Sequence, residues 1–227
     1  MTTLLIPGLL CDETTWAPVR ERIPAEVADL STQDSITQMA RDCLDRYPGL
    51  LRVAGHSMGA RVAMEMAHLA PERIERLALL DTGIHPLKEG ETAKREEIVR
   101  FAYDNGMEAL AARWLPPMVY EANQQNAALM QSLTDMVLRK TPDLHARQIN
   151  ALVHRPDASA YLPGITCPVL LVVGRQDQWS PVAQHQDMLR LLPDARLEII
   201  ENAGHFAPVE QPDVVAGLLA EFLEQAA

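Results

Sequence analysis

Short apolar runs alternate with amphipathic stretches along most of the chain. Apolar runs bounded by Gly, Pro or Asp suit strands that are covered on both faces, as in a parallel sheet. On this basis the sequence predicts six strands, at Thr3–Pro7, Glu26–Leu30, Leu51–Ala54, Arg76–Leu80, Pro168–Val173 and Arg196–Ile200.

The stretches between these runs carry apolar residues at helical spacing. This spacing predicts four helices, at Ser35–Arg46, Gly59–Leu69, Pro181–Leu192 and Pro212–Leu223. Ser35 can cap the first of them, and proline suits the first turn of the last two. Strands that alternate with helices predict an α/β fold, a doubly wound and mostly parallel sheet of about six strands.

The alternation stops between Ile84 and Ile165, where the pattern is helical and contains no convincing strand. A separate helical domain would give the same pattern. Because strands of one type flank the segment, we interpret it as a helical cap inserted after the fourth strand. The predicted organisation is a core of residues 1–83 and 166–227 with a cap of residues 84–165.

Composition and charge narrow the class of protein. The chain has 227 residues and a net charge of −11, which counts against nucleic acid or an anionic membrane as a partner. No apolar run is long enough to span a membrane, and the N-terminus lacks a signal-peptide pattern. Cys11, Cys43 and Cys167 lack metal-site spacing and fit reduced thiols. We therefore expect a cytoplasmic protein with a small-molecule substrate and without a metal or cofactor, whose oligomeric state the sequence does not indicate.

The motif Gly55-His56-Ser57-Met58-Gly59 lies between a predicted strand and a predicted helix. A glycine-rich turn that contains a serine by chance would look the same. In this context, however, G-x-S-x-G is typical of a nucleophile elbow, in which a sharp turn exposes the serine hydroxyl above the sheet. Ser57 is therefore the candidate nucleophile.

An acid and a histidine follow later strands in the order that a triad on this sheet requires. Asp177 follows the fifth strand and His205 follows the sixth, so both are expected at the same sheet edge as Ser57. An imidazole must take the serine proton, and a carboxylate must orient that imidazole. Asp81, which ends the fourth strand, is the alternative acid, although it could instead bind turn amides.

Two backbone amides are candidates for stabilising a developing oxyanion. The N–H of Met58 begins a helix, and the N–H of Leu9 belongs to the loop after the first strand. Gly8 lets this loop approach the elbow. An ordinary Pro-Gly turn is the alternative for that loop.

Three stretches resemble the α/β-hydrolase superfamily, and the likeness extends over essentially the whole chain: Gly55–Gly83, Gly174–Pro181 and Asn202–Pro212. The resemblance implies Ser57 as nucleophile, Asp177 as acid and His205 as base, with the Leu9 and Met58 amides as the oxyanion hole. Two features depart from the family. Pro7-Gly8 stands where the family usually has His-Gly, and the chain begins at the family's third strand, so the first two strands are absent.

A serine at the elbow favours acyl transfer, most simply hydrolysis of a small carboxylic ester or thioester. Candidate substrate-binding residues are Trp16, Arg61, Trp114 and Met118. The spacing up to Trp16 resembles the carboxylesterase that cleaves pimeloyl esters, but Trp16 could equally pack in the core. Trp114 and Met118 could likewise be simple core residues of the cap.

Arg61 indicates a second possible type of reaction. GHSMGAR resembles the menaquinone-pathway synthase of the same superfamily, in which the arginine holds a substrate carboxylate for lyase chemistry. An ion pair with Glu65, one helical turn further on, is the favoured alternative for Arg61. A third hypothesis is that the protein is a non-catalytic small-molecule receptor or regulatory partner.

Overall fold

The structure is a computed structural model, and it describes residues 1–225. A single sheet of six parallel strands forms its centre, in the order β2-β1-β3-β4-β5-β6. The strands are β1 (Thr2–Ile6), β2 (Glu26–Val27), β3 (Leu51–His56), β4 (Ile74–Leu80), β5 (Val169–Gly174) and β6 (Ala195–Ile200). The predicted α/β class and parallel sheet are confirmed.

The central strands are buried on both faces, as their continuous apolar runs require. β5 is buried along its whole length, and β1 and β3 pair with Leu5 opposite Ala54. The prediction for β2 was too long, because only Glu26 and Val27 are strand. After Ala28 donates to the Leu5 carbonyl at 2.9 Å, the Asp29 carboxylate accepts the Ser31 amide at 3.0 Å and turns this edge strand away.

Helices cover both faces of the sheet. One face carries α2 (Ile36–Arg46), α3 (Met58–Leu69) and α7 (Val182–Leu191), while the other carries α1 (Ala17–Arg20), α8 (Ala207–Glu210) and α9 (Pro212–Glu224). Ser35 is the N-terminal capping residue of α2, as predicted, since its side chain accepts a hydrogen bond from the Gln38 amide. Each layer buries its own apolar cluster against the sheet, so the core lies on both sides of the strands.

The segment between β4 and β5 contains helices and turns and, within the described chain, no strand. Its helices are α4 (Glu91–Trp114), α5 (Ala127–Leu138) and α6 (Pro142–Val153). α4 is interrupted at Gly106, whose φ of 82° is readily adopted by glycine. α5 and α6 both pack against α4 above the α3 face of the sheet. That this segment is a cap on the core, with boundaries at residues 83/84 and 165/166, stays a prediction; residues 84–165 are called the cap below.

Within residues 1–225, every helix is too short or too polar to cross a membrane.

Candidate active site

Ser57 lies on the tight turn that joins β3 to α3. Its φ of 54° and ψ of −115° are strained for a residue with a side chain. The turn requires glycine at two positions. A side chain on Gly59 would collide with the Ile6 carbonyl, and one on Gly55 would collide with the Gly59 carbonyl. The strained serine and its two glycines have the geometry of a nucleophile elbow.

His205 and Asp177 reach Ser57 from the loops after β6 and β5. The His205 Nε2 atom lies 2.8 Å from the Ser57 Oγ, and its Nδ1 lies 2.8 Å from an Asp177 carboxylate oxygen. Both side chains are buried. The structure therefore brings together the three residues that the sequence predicted as a triad.

The Asp177 carboxylate is held in its charged form. Burial by itself would raise the pKa of Asp177, but His205 and the backbone amides of Ser180 and Trp179 outweigh this effect and lower it. The two amides donate to one carboxylate oxygen at 2.8 Å each, which leaves the other oxygen for the His205 Nδ1–H. This arrangement orients the imidazole so that its Nε2 lone pair faces the Ser57 hydroxyl.

Asp81, the alternative acid, has no contact with the His205 ring among the hydrogen bonds of residues 1–225. One of its carboxylate oxygens accepts the Gly174 amide at 2.9 Å. Burial and the nearby Asp177 charge raise the pKa of Asp81 well above its usual value. Asp81 thus holds the start of the loop that carries Asp177.

Two residues that sequence reasoning missed hold the loops of the site. Glu210 accepts the Gly204 and Phe206 amides on either side of His205, and with its other oxygen it accepts the Tyr120 amide of the cap segment. Gln148 of α6 accepts the Leu10 amide at 2.8 Å. Glu210 lies within the Asn202–Pro212 stretch that resembles the family, and this offered a signal for its role. Gln148 and Leu10 are 138 residues apart, so their contact left no local signal in the sequence.

Leu9 and Met58, whose amides the sequence predicts as the oxyanion hole, both border the cavity that Ser57 borders. Leu10 and Cys11 of the same turn donate to Gln148 and to the Gly8 carbonyl, while neither Leu9 nor Met58 donates to another group within residues 1–225. Met58 is the first residue of α3, so its amide has no carbonyl one turn earlier in the helix. Two uncommitted donors therefore flank the serine.

A cavity of about 770 Å³ lies between the sheet edge and the cap, and Ser57 and His205 open into it. Trp114 and Met118, two of the predicted substrate-binding residues, border it. The prediction that Trp16 lines it was wrong. Trp16 is fully buried with α1 and α9 on the opposite face of the sheet, so it is a core residue.

Arg61 also borders the cavity, and the favoured prediction of an ion pair with Glu65 was wrong. Glu65 is buried and accepts from the Thr37 hydroxyl at 2.7 Å, whereas the Arg61 guanidinium donates to the His85 carbonyl at 3.3 Å. No carboxylate within residues 1–225 forms an ion pair with Arg61. The helix face that carries both residues is turned inward rather than towards solvent.

The charges around Arg61 are unevenly balanced. Glu91 forms a bidentate pair with Arg155, at 2.8 and 2.9 Å, and also accepts from Arg95 at 2.8 Å. Burial and the Arg155 and Arg95 charges lower the pKa of Arg61 to about 9. Arg155 and Arg95 thus share the Glu91 carboxylate, and Arg61 lies near them without an ion-pair partner, which favours an anion there.

Within the described chain, no group of three or more His, Cys, Asp or Glu side chains is placed to hold a metal ion.

Comparisons with known proteins agree with this fold. Residues 4–218 match the model of the alpha/beta hydrolase family. Because the match covers most of the chain, the protein belongs to the alpha/beta hydrolase family.

Individual relatives have several activities. The Bacillus subtilis protein named "Putative 2-succinyl-6-hydroxy-2,4-cyclohexadiene-1-carboxylate synthase" is 30% identical, with 83% of this chain and 73% of that protein covered. A pimeloyl-[acyl-carrier protein] methyl ester esterase of Nitrosomonas europaea is also 30% identical, with coverages of 76% and 71%. Among solved structures, a thermophilic esterase from Thermogutta terrifontis with malate bound superposes with a TM-score of 0.88 at 26% identity, covering 98% of this chain and 89% of that one.

Proposed function

We propose that this alpha/beta hydrolase is a serine hydrolase that cleaves a small carboxylic ester or thioester through an acyl-enzyme intermediate. The observation that carries the proposal is the continuous chain of hydrogen bonds from Asp177 through His205 to Ser57. The esterases among its relatives support the same chemistry.

In the proposed reaction His205 acts first as a base and then as an acid. Its Nε2 takes the Ser57 proton as the Oγ attacks the ester carbonyl, and the carbonyl oxygen becomes an oxyanion. The Leu9 and Met58 amides donate to that oxyanion. The protonated imidazole then gives its proton to the leaving group, and an ester forms between Ser57 and the acyl group. Water, activated by the same nitrogen, releases the acid.

The cavity supports a substrate that carries a carboxylate as well as the scissile ester. Its wall is partly apolar, through Trp114 and Met118, yet Arg61 lies there without a carboxylate partner. Removing a guanidinium from water without a counter-ion is costly, and a bound carboxylate would offset that cost.

Arg61 also favours a second candidate function, a lyase. In that reaction the Ser57 and His205 pair would remove a proton from a carboxylate-bearing substrate held by Arg61, and no acyl-enzyme would form. The similarity to the Bacillus subtilis protein named as a synthase supports this candidate. Hydrolysis remains the better supported function, because the two free amides beside Ser57 suit an oxyanion at an ester carbonyl.

The test is a panel of p-nitrophenyl half-esters of dicarboxylic acids, each compared with its neutral methyl ester. We expect turnover that Ser57→Ala abolishes, and a preference for the free acid of about 10- to 150-fold in kcat/KM, from roughly 1.5–3 kcal/mol of charge-assisted hydrogen bonding. Arg61→Ala should bring that ratio close to one.

Arg113→Ala is the matched control, because Arg113 borders the same cavity but already pairs with Glu97 at 2.9 Å. Its acid preference should stay near that of the wild type. Absence of ester turnover in the wild type would reject the hydrolase. If Arg61→Ala kept the preference for the free acid, the proposal that Arg61 binds the substrate carboxylate would be wrong.

A further inference from the structure

Trp179 lies on the loop between β5 and α7 and is 53% exposed. Of the large apolar side chains that are exposed within residues 1–225, it alone borders the cavity into which Ser57 opens. Single exposed apolar residues are common on protein surfaces and need no explanation. An exposed indole at the rim of a candidate active site is different, because a bound substrate can cover it.

The other two tryptophans show what is unusual about Trp179. Trp16 is fully buried in the core, and Trp114 packs edge-on against Phe206 with 6.1 Å between the ring centroids. The Trp179 ring has no aromatic or cation–π contact within residues 1–225, and its indole nitrogen has no hydrogen bond there. Its backbone is nevertheless fixed, since its amide donates to the Asp177 carboxylate at 2.8 Å. The protein thus holds an uncovered aromatic ring at a set place beside the triad.

The sheet places Trp179 on the side of Ser57 from which a leaving group departs. In the proposed reaction His205 protonates the leaving group, so that group lies on the His205 side of Ser57. The loops of Trp179 and His205 follow β5 and β6, whereas Leu9 of the proposed oxyanion hole follows β1 on the other side of β3. Neighbouring strands are about 4.8 Å apart, so the ends of β3 and β5, with β4 between them, lie roughly 10 Å apart. A six-membered ring on the ester oxygen can span much of that distance, and a methyl group cannot.

We propose that Trp179 binds an aromatic leaving group of the substrate at the rim of the cavity. The proposal rests on the proposed function, which makes the scissile bond an ester or thioester. A flat, uncharged ring can stack on an indole, and such a pair adds to the gain from burying apolar area. A cationic group can also bind an indole face, but basic side chains outnumber acidic ones on the cavity wall, which disfavours a cation. The substrate class is therefore a carboxylic ester of an aromatic or arylmethyl alcohol, or the corresponding thioester.

The test compares benzyl with cyclohexylmethyl half-esters of the dicarboxylic acids used above, because these two leaving groups are similar in size. After division by the rates of alkaline hydrolysis, we expect kcat/KM of the wild type to be about two- to tenfold higher for the benzyl ester. Trp179→Ala should bring this ratio close to one, and Trp179→Phe, which keeps an aromatic ring, should keep part of it. Both variants keep the backbone amide that binds Asp177, and the ratio cancels any general change in activity.

Tyr103→Ala is the matched control. Tyr103 is also 53% exposed, but it does not border the cavity. Its replacement should leave the ratio of benzyl to cyclohexylmethyl ester unchanged. A ratio that fell equally in Tyr103→Ala and Trp179→Ala would contradict a specific role of Trp179.

A second measurement does not depend on turnover. The N-benzyl and N-cyclohexylmethyl amides of the same acids, which resist hydrolysis, are titrated by calorimetry into Ser57→Ala protein with and without Trp179→Ala. We expect the benzyl amide to bind about two- to tenfold more tightly only where Trp179 is present. A ratio near one in the presence of Trp179, or a benzyl preference that persists in Trp179→Ala, would overturn the proposal. If esters were not hydrolysed at all, the proposed function would fail and the titrations alone would decide on Trp179.

Discussion

The polar groups around the cavity differ in how they are bound. At the sheet edge Ser57, His205 and Asp177 are joined by hydrogen bonds of 2.8 Å, and Thr82 and Glu210 hold the surrounding backbone. Elsewhere, Arg61 of α3 borders the cavity without a carboxylate partner, and both ring nitrogens of the buried His145 of α6 lack a partner within residues 1–225.

This difference separates two kinds of role. Groups that the protein fixes in place are pre-organised for a reaction, because a developing charge then meets dipoles that need not reorient. Groups that are desolvated but unpaired weaken the free protein, and a ligand that pairs with them recovers that cost. The triad at the sheet edge therefore points to the reaction, and Arg61 points to what is recognised.

The largest effect is expected from Asp177→Asn. An amide at this position would favour the wrong tautomer of His205, so kcat should fall by about 10²- to 10⁴-fold. Asp81→Asn is the matched control, since Asp81 is equally buried but binds the Gly174 amide. It should affect mainly the free energy of unfolding. If Asp81→Asn had the larger effect on kcat, the acid would belong to the fourth strand.

A pH dependence of stability is expected next in size. Burial lowers the pKa of His145 from 6.5, the value of a free histidine side chain, to about 4, so this residue destabilises the folded protein progressively as the pH falls from 6.5 towards 4. His145→Leu should therefore reduce the loss of unfolding free energy over this range by up to about 3 kcal/mol. Urea unfolding at a series of pH values measures it. An equal loss in the variant would show that folding does not lower the pKa of His145.

A smaller effect should distinguish a hydrogen-bonded buried histidine from an unpaired one at neutral pH. His185→Leu removes the acceptor of the buried Thr82 amide and should lower the free energy of unfolding by about 1–3 kcal/mol. His145→Leu removes an unpaired ring and should be neutral or stabilising. Thermal and urea unfolding of both variants make the comparison. A cost for His145→Leu as large as that for His185→Leu would mean that His145 has a structural role.

The strands and the three triad positions could be predicted because their signals are local. A continuous apolar run identifies β5, and the glycines around Ser57 are required by a turn within a few residues. The environments of Trp16 and Arg61 could not be predicted in the same way. Both positions depend on which face of an element turns inward, and the position of Arg61 also depends on the distant Thr37 hydroxyl, which donates to Glu65. The same holds for Gln148 and Glu210, whose contacts join separate parts of the chain.

The most direct test of the central claim is covalent labelling of the wild type with a fluorophosphonate, followed by peptide mass spectrometry. We expect a single adduct on Ser57, absent from Ser57→Ala and retained in Ser180→Ala, since Ser180 borders the same cavity without contacting the His205 ring. Labelling of Ser57 would show that its hydroxyl is activated as the hydrogen-bonded chain requires. An unlabelled wild type, or undiminished labelling of Ser57→Ala, would contradict the account and favour a non-catalytic receptor or another nucleophile.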